Sequence, residues 1–163
     1  MNPEITLKIT DIKAFPTQVG NHSQFPVKVE TDEGIYGWGE AGLANHERAV
    51  PGVIEYFKRF LIGTDPLDRG AHWQRIYRGR YFEGNLILTA GISAIGIAPY
   101  DTTGKAFGVP AYQLLGGKQR DYVPAFATVT APNGPQLVED CQLLVEKGWD
   151  AIRREFTAHA GRH

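Results

Sequence analysis

The sequence holds one cysteine, Cys141, among 163 residues. A single thiol closes no internal disulfide, so this is not a small disulfide-stapled scaffold, and a reducing cytoplasm is the expected compartment. No apolar run approaches the roughly 20 residues needed to cross a bilayer, and no membrane partner is expected. The first residues, MNPEITLKITD, contain no apolar signal core, so secretion is not expected. Charge of either sign is not in excess. Lys and Arg number 17 against 18 Asp and Glu, and a net charge of -1 gives no general attraction to nucleic acid. What remains is an ordinary globular composition, 42% hydrophobic and 21% charged, in a chain long enough for a domain with a core.

Three zones follow one another. From Ile5 to Ala41 the pattern is strand-like: Ile5, Leu7 and Ile9 alternate, as do Val27, Val29 and Thr31, each set marking one face of a sheet. Asp32-Glu33-Gly34 is a turn, and Ile35 to Glu40 returns antiparallel. The polar stretch Thr17 to Gln24 reads as an exposed loop. The second zone, Asn45 to Gly108, is helical. Val50, Val53, Ile54, Phe57 and Leu61 keep helical spacing, with Gly63 as the stop. Asp65-Pro66 predicts an N-cap followed by proline in the first turn, and Trp73, Ile76 and Tyr77 give that second helix its apolar face. A third helix, from about Leu86 to Phe107, is apolar nearly all round and should be the central one, closed by Gly108 and Pro110. The third zone changes rhythm. Strand Tyr122 to Thr130, a helix opened by Gly134-Pro135, and strand Trp149 to Phe156 make one β-α-β unit, which implies parallel strands.

The third helix contradicts its own pattern. Ile92, Ile95 and Ala98 share a face, yet Gly96 and Pro99 lie in the same run. Interior glycine costs about 1 kcal/mol relative to alanine and interior proline about 3. Pro99 also removes the N–H that would bond to the Ile95 carbonyl, which predicts a kink. Pro51 carries the same penalty unless its helix begins at Val50.

Several local patterns have bland explanations. His159 and His163 have the spacing of a helical metal pair but stand in a polar tail without further ligands. Arg75, Arg78 and Arg80 among Tyr77, Tyr81 and Phe82 read as a solvated helix face. Gly116-Gly117-Lys118 lacks the glycine and hydroxyl residue of a phosphate loop, and Gly37 and Gly39 form no dinucleotide fingerprint. Cys141 lies on an apolar helix face and reads as core.

The order of the zones is similar to that of the enolase superfamily, in its mandelate racemase and muconate-lactonizing branch and especially its acid-sugar dehydratases. Stretches that carry the resemblance are VETDEGIYGWGEAG, FLIGTDPL, YRGRYFEG, GISAIGIAPYDTTGKAFGVPAYQLLGGK and LVEKGWDAIR. The tract from Gly104 to Gly117, followed by Val123-Pro124, is its specific part. The resemblance implies an α+β capping domain over residues 1–118, built of an antiparallel β-meander and a three-helix bundle. Residues 119–163 would then be the truncated start of a (β/α) barrel.

The implied chemistry is removal of a proton alpha to the carboxylate of a sugar acid, giving an enediolate held on Mg²⁺, followed by loss of water; relatives of this kind are lyases or racemases. The family's metal carboxylates come from the third to fifth barrel strands, so no metal ligand and no Mg²⁺ is expected in this chain. Where many members carry Lys-x-Lys at the end of the second strand, this sequence has Arg153 and Glu155. Arginine stays protonated and is a poor base, while Glu155 adds negative charge beside an anionic substrate. Thr128 stands where mannonate-dehydratase relatives place a histidine. Asn21 and His22 lie in the loop that, by resemblance, closes over the barrel mouth and touches substrate; a solvated loop is the other reading. Asn45 and His46 raise the same choice, with Asn45 read as a helix N-cap. Relatives also read Asp, Leu and Trp at positions 96, 99 and 100, which casts Gly96 and Pro99 as accumulated damage; a kinked but healthy helix, with a neighbour filling the gap, is the other reading. Two functions stay open at this point: an N-terminal part of an acid-sugar dehydratase, inactive as 163 residues, or a non-catalytic remnant or small interaction domain that pairs through its barrel edge. Either leaves room for a homo-oligomer.

Overall fold

The computed structural model describes residues 5–19, 22–43, 47–79 and 84–154. The chain divides into two compact units, Met1–Lys118 and Gln119–His163.

In the first unit, strands β1 (Ile9–Ala14), β4 (Pro26–Thr31) and β5 (Tyr36–Glu40) form an antiparallel sheet in the order β1-β4-β5. β4 shows the expected alternation, with Val27, Val29 and Thr31 buried. The predicted alternation of Ile5, Leu7 and Ile9 holds in burial, but the strand is shorter than the pattern. Leu7 and Ile9 are buried, but the strand begins at Ile9, and a register slip between Ile9 and Asp11 lets Ile12 turn inward three residues later. The stretch read as a polar loop is instead a hairpin, β2 (Thr17–Val19) with β3 (His22–Gln24), in which Ser23 Oγ donates to Gln18 Oε1 at 2.9 Å. Its residues are polar because β2 is exposed along its length, so it carries no buried face for a period-2 pattern to mark.

Helix α1 (Val50–Leu61) presents Val50, Val53, Ile54, Phe57 and Leu61 to the core, as their spacing predicts. A single turn of 3₁₀ helix, Glu47–Ala49, precedes it, so Pro51 falls in the first turn, where its missing N–H costs no helical bond. Ala49 occupies the N-cap position of α1. Helix α2 (Arg69–Tyr77) starts later than predicted. Asp65 Oδ1 accepts from the Leu67 amide at 2.8 Å, closing a turn around Pro66 before the helix begins. The buried face of α2 also differs, being His72 and Ile76, whereas Trp73 is 42% exposed and stacks on Tyr77 with ring centroids 4.4 Å apart.

Helix α3 (Leu86–Phe107) is the central one. Asn85 caps it, its Oδ1 accepting from the amides of Ile87 and Leu88, both at 3.1 Å, and Gly108 ends it in the left-handed conformation, φ 67°. The helix runs through Pro99 without interruption. Two threonines hold carbonyls on the following turn: Thr102 Oγ1 donates to Ala98 O at 3.1 Å and Thr103 Oγ1 to Pro99 O at 2.6 Å. A short helix, α4 (Ala111–Leu114), then follows in the GVPAYQLLGGK tract.

The contact between α3 and β5 sets the packing of the unit. A Cβ at Gly37 would fall on the Ala98 carbonyl oxygen, and one at Gly39 on that of Ala94. The two glycines of YGWGE therefore admit the helix backbone directly onto the strand. The free edge of β5 is closed by α3 as well: Asp101 Oδ2 accepts from the Trp38 amide at 2.9 Å, and Lys105 Nζ donates to Tyr36 O at 2.8 Å and to Asp101 at 2.7 Å.

An ion pair ties the first strand to the first helix. Lys58 Nζ contacts Asp11 Oδ1, and this bond holds the Asp11 carboxyl below its ordinary value. A depressed carboxyl stabilises the fold above the unfolded pKa of about 3.9, and that contribution is lost as pH falls through the lower folded value. Asp11→Asn should therefore cost about 0.5–1 kcal/mol in urea unfolding at pH 7 and progressively less below about pH 4. An unchanged gap between the two proteins at pH 2.5, an acidity chosen to lie about 1.4 units under that unfolded value, would show that the loss is not electrostatic.

The second unit holds β6 (Ala127–Val129), α5 (Pro135–Glu146) and β7 (Ile152–Arg154), with β6 and β7 paired in parallel as the β-α-β pattern predicts. Both strands are shorter than their apolar runs. Cys141 is half-buried rather than core, and Val138, Leu143 and Val145 on the same helix are exposed. Two three-residue strands cover too little of α5 to bury it.

Candidate functional site

Thr128 and Arg153 meet. They are direct register partners across the parallel pair, and Arg153 Nη2 donates to Thr128 Oγ1 at 3.2 Å. Alternation explains why both are presented: Ala127 and Val129 turn inward, leaving Thr128 on the exposed face, and Arg153 is exposed beside it. The Arg153 guanidinium also lies over the Phe126 ring, 4.7 Å from its centroid. Phe126 escaped the sequence reading, because one aromatic before a short strand gives no period to follow; its position two residues before Thr128 is the available signal.

The remaining candidates are not assembled here. His22 opens β3 and pairs with Val19 in the hairpin. Asn21, Asn45, His46 and Glu155 lie outside the described residues, as do His159 and His163.

The residues around Thr128 do not suit a divalent metal. They offer a hydroxyl and a guanidinium, and a fixed cation repels Mg²⁺, which demands an octahedron of oxygen donors. Among the described residues no three His, Cys, Asp or Glu side chains gather to hold an ion. The chemistry such an arrangement can perform is recognition: a planar two-pronged donor beside a hydroxyl suits a carboxylate or a sugar oxygen.

Fold and site together define a unit of antiparallel sheet and helices, followed by one parallel β-α-β unit. Residues 5–116 match the sequence family described as the mandelate racemase / muconate lactonizing enzyme N-terminal domain, and the chain belongs to that family. Among curated proteins, the D-galactonate dehydratase of Variovorax paradoxus is 40% identical over 127 residues, 78% of this chain and 33% of the relative. A D-galactonate dehydratase family member from Oceanicola granulosus is 38% identical over 149 residues, 90% of this chain and 36% of the relative. The crystal structure of an enolase from Pantoea ananatis with bound D-gluconate and Mg superposes with a TM-score of 0.85 at 33% identity, covering 91% of this chain and 36% of that one. The chain thus spans about a third of the length of the curated relatives it matches. The resemblance carried by VETDEGIYGWGEAG and the GVPAYQLLGGK tract is thereby shown.

Proposed function

We propose that these residues form the capping domain, 1–118, and the opening barrel segment, 119–163, of an Mg²⁺-dependent acid-sugar dehydratase. The observation that carries this reading is the Thr128–Arg153 pair, set on one exposed face at adjacent parallel strands, in a chain 40% identical to a D-galactonate dehydratase over 127 residues. In that setting Arg153 binds and orients the substrate carboxylate, and Thr128 fixes the guanidinium and contacts a sugar hydroxyl. Arg153 does not take the proton, since a guanidinium is a poor base. Mg²⁺, when bound in such an enzyme, would stabilise the enediolate formed on proton removal. A hydroxyl beside a fixed guanidinium would not hold it, so its oxygen ligands would come from residues other than Thr128 and Arg153. A lone cysteine suits a reducing compartment, and we place the protein in the cytoplasm.

The 163-residue polypeptide by itself should bind Mg²⁺ no better than a generic acidic surface and should release no 2-keto-3-deoxy product from D-galactonate, D-gluconate or a hexarate. Isothermal titration with Mg²⁺ and a product assay check both. A stoichiometric site tighter than about 1 mM, or turnover above background, would overturn the assignment of metal binding to residues outside this segment.

A further inference from the structure

A cavity of about 270 Å³ opens between α2 and α3, away from Thr128 and Arg153 in sequence and independent of the dehydratase reading. Its walls are mostly apolar, formed by Trp73, Ile92, Ile95, Pro99 and Tyr100. Gly96 faces it with nothing within 4 Å of where a Cβ would stand, so the helix leaves that space unfilled. The charge in the lining is Arg69, which is half-buried. Its Nη1 donates to Thr103 Oγ1 at 2.9 Å and its guanidinium lies 4.5 Å from the Tyr100 ring centroid. Among the described residues no carboxylate pairs with it. His72 also lines the cavity; burial pushes its pKa down, so at neutral pH it adds no second positive charge.

We propose that this cavity binds a small aromatic monocarboxylate, its ring against Trp73, Pro99 and Tyr100 and its carboxylate on Arg69. Size and charge select that class. An apolar cavity of about 150 Å³ accommodates benzene, so 270 Å³ holds one ring with a carboxylate. An ion left beside apolar walls without a counter-charge gains most from a ligand that brings the opposite charge and buries a flat body with it.

Isothermal titration of the full 163-residue chain with benzoate and with benzamide, its uncharged isostere, tests the proposal. Benzoate should bind one to one and at least about tenfold more tightly than benzamide. Arg69→Met should erase that preference and leave weak, equal binding of both. Gly96→Leu should abolish both while its urea midpoint stays at or above that of the parent, which shows that the variant is folded. Equal affinity for the two probes in the parent, benzoate binding undisturbed by Gly96→Leu, or no heat up to about 10 mM benzoate would each overturn it.

Discussion

Gly39→Ala should destabilise the capping domain by about 3 kcal/mol or more, among the largest losses that one methyl group can cause. The new Cβ would fall on the Ala94 carbonyl oxygen, and Gly37→Ala would meet both the Ala98 carbonyl and Thr102 Oγ1. Backbone atoms cannot swing aside as a flexible side chain does, so the helix has to lift off the strand. Lifting it strips the Trp38 amide of Asp101 and the Tyr36 carbonyl of Lys105, which adds unsatisfied groups to the steric cost. Gly42→Ala is the control, since a Cβ there meets nothing within 4 Å, and it should stay within about 0.5 kcal/mol of the parent. Urea unfolding of the three variants ranks them. A Gly39→Ala midpoint equal to that of Gly42→Ala would mean that the two layers are not in backbone contact.

Pro99→Leu should act in the opposite direction and stabilise by about 2–3 kcal/mol. The leucine restores an N–H that can bond to the Ile95 carbonyl, and its side chain enters the cavity that Pro99 already lines, so no overpacking opposes it. The structure shows that the proline has not broken the helix, and Thr103 Oγ1 bonds the Pro99 carbonyl on the next turn. The cost is therefore a missing bond rather than a lost element. An unchanged or lower urea midpoint for Pro99→Leu would identify the ring as a packed native feature and remove the case for damage in this helix.

The elements of this fold also show what a sequence can and cannot carry. Val53, Ile54, Phe57 and Leu61 mark α1 because a helix packed on a core buries a repeating stripe, whereas α3 shows as a long, mostly apolar run and α5 as apolar spacing that its two short strands leave uncovered. The hairpin at 17–24 was missed because its pairing is made by the backbone, which has no residue signature when β2 buries nothing. His72 was overlooked for Trp73 on α2, since burial there is decided by what α3 presents and not by hydrophobicity alone. The site was legible only through resemblance. Thr128 and Arg153 are 25 positions apart, and their hydrogen bond depends on a parallel register that no local pattern encodes. The clamp of Asp101 and Lys105 left one trace, an acidic residue four positions before a basic one, which is equally the mark of any solvated helix.

The seating of α3 on β5 has a dynamic consequence. Side chains between two layers act as a compliant filling that lets each layer breathe alone. Here the filling is absent at Gly37 and Gly39, and helix carbonyls bear on the strand itself. The strand edge and the helix should then open as one cooperative unit, with the Trp38 amide exchanging its hydrogen for deuterium only when Asp101 withdraws. Amides of β5 and of the middle of α3 would share a single opening free energy, so a perturbation anywhere along the helix would register at Trp38 without any change in the sheet's own pairing.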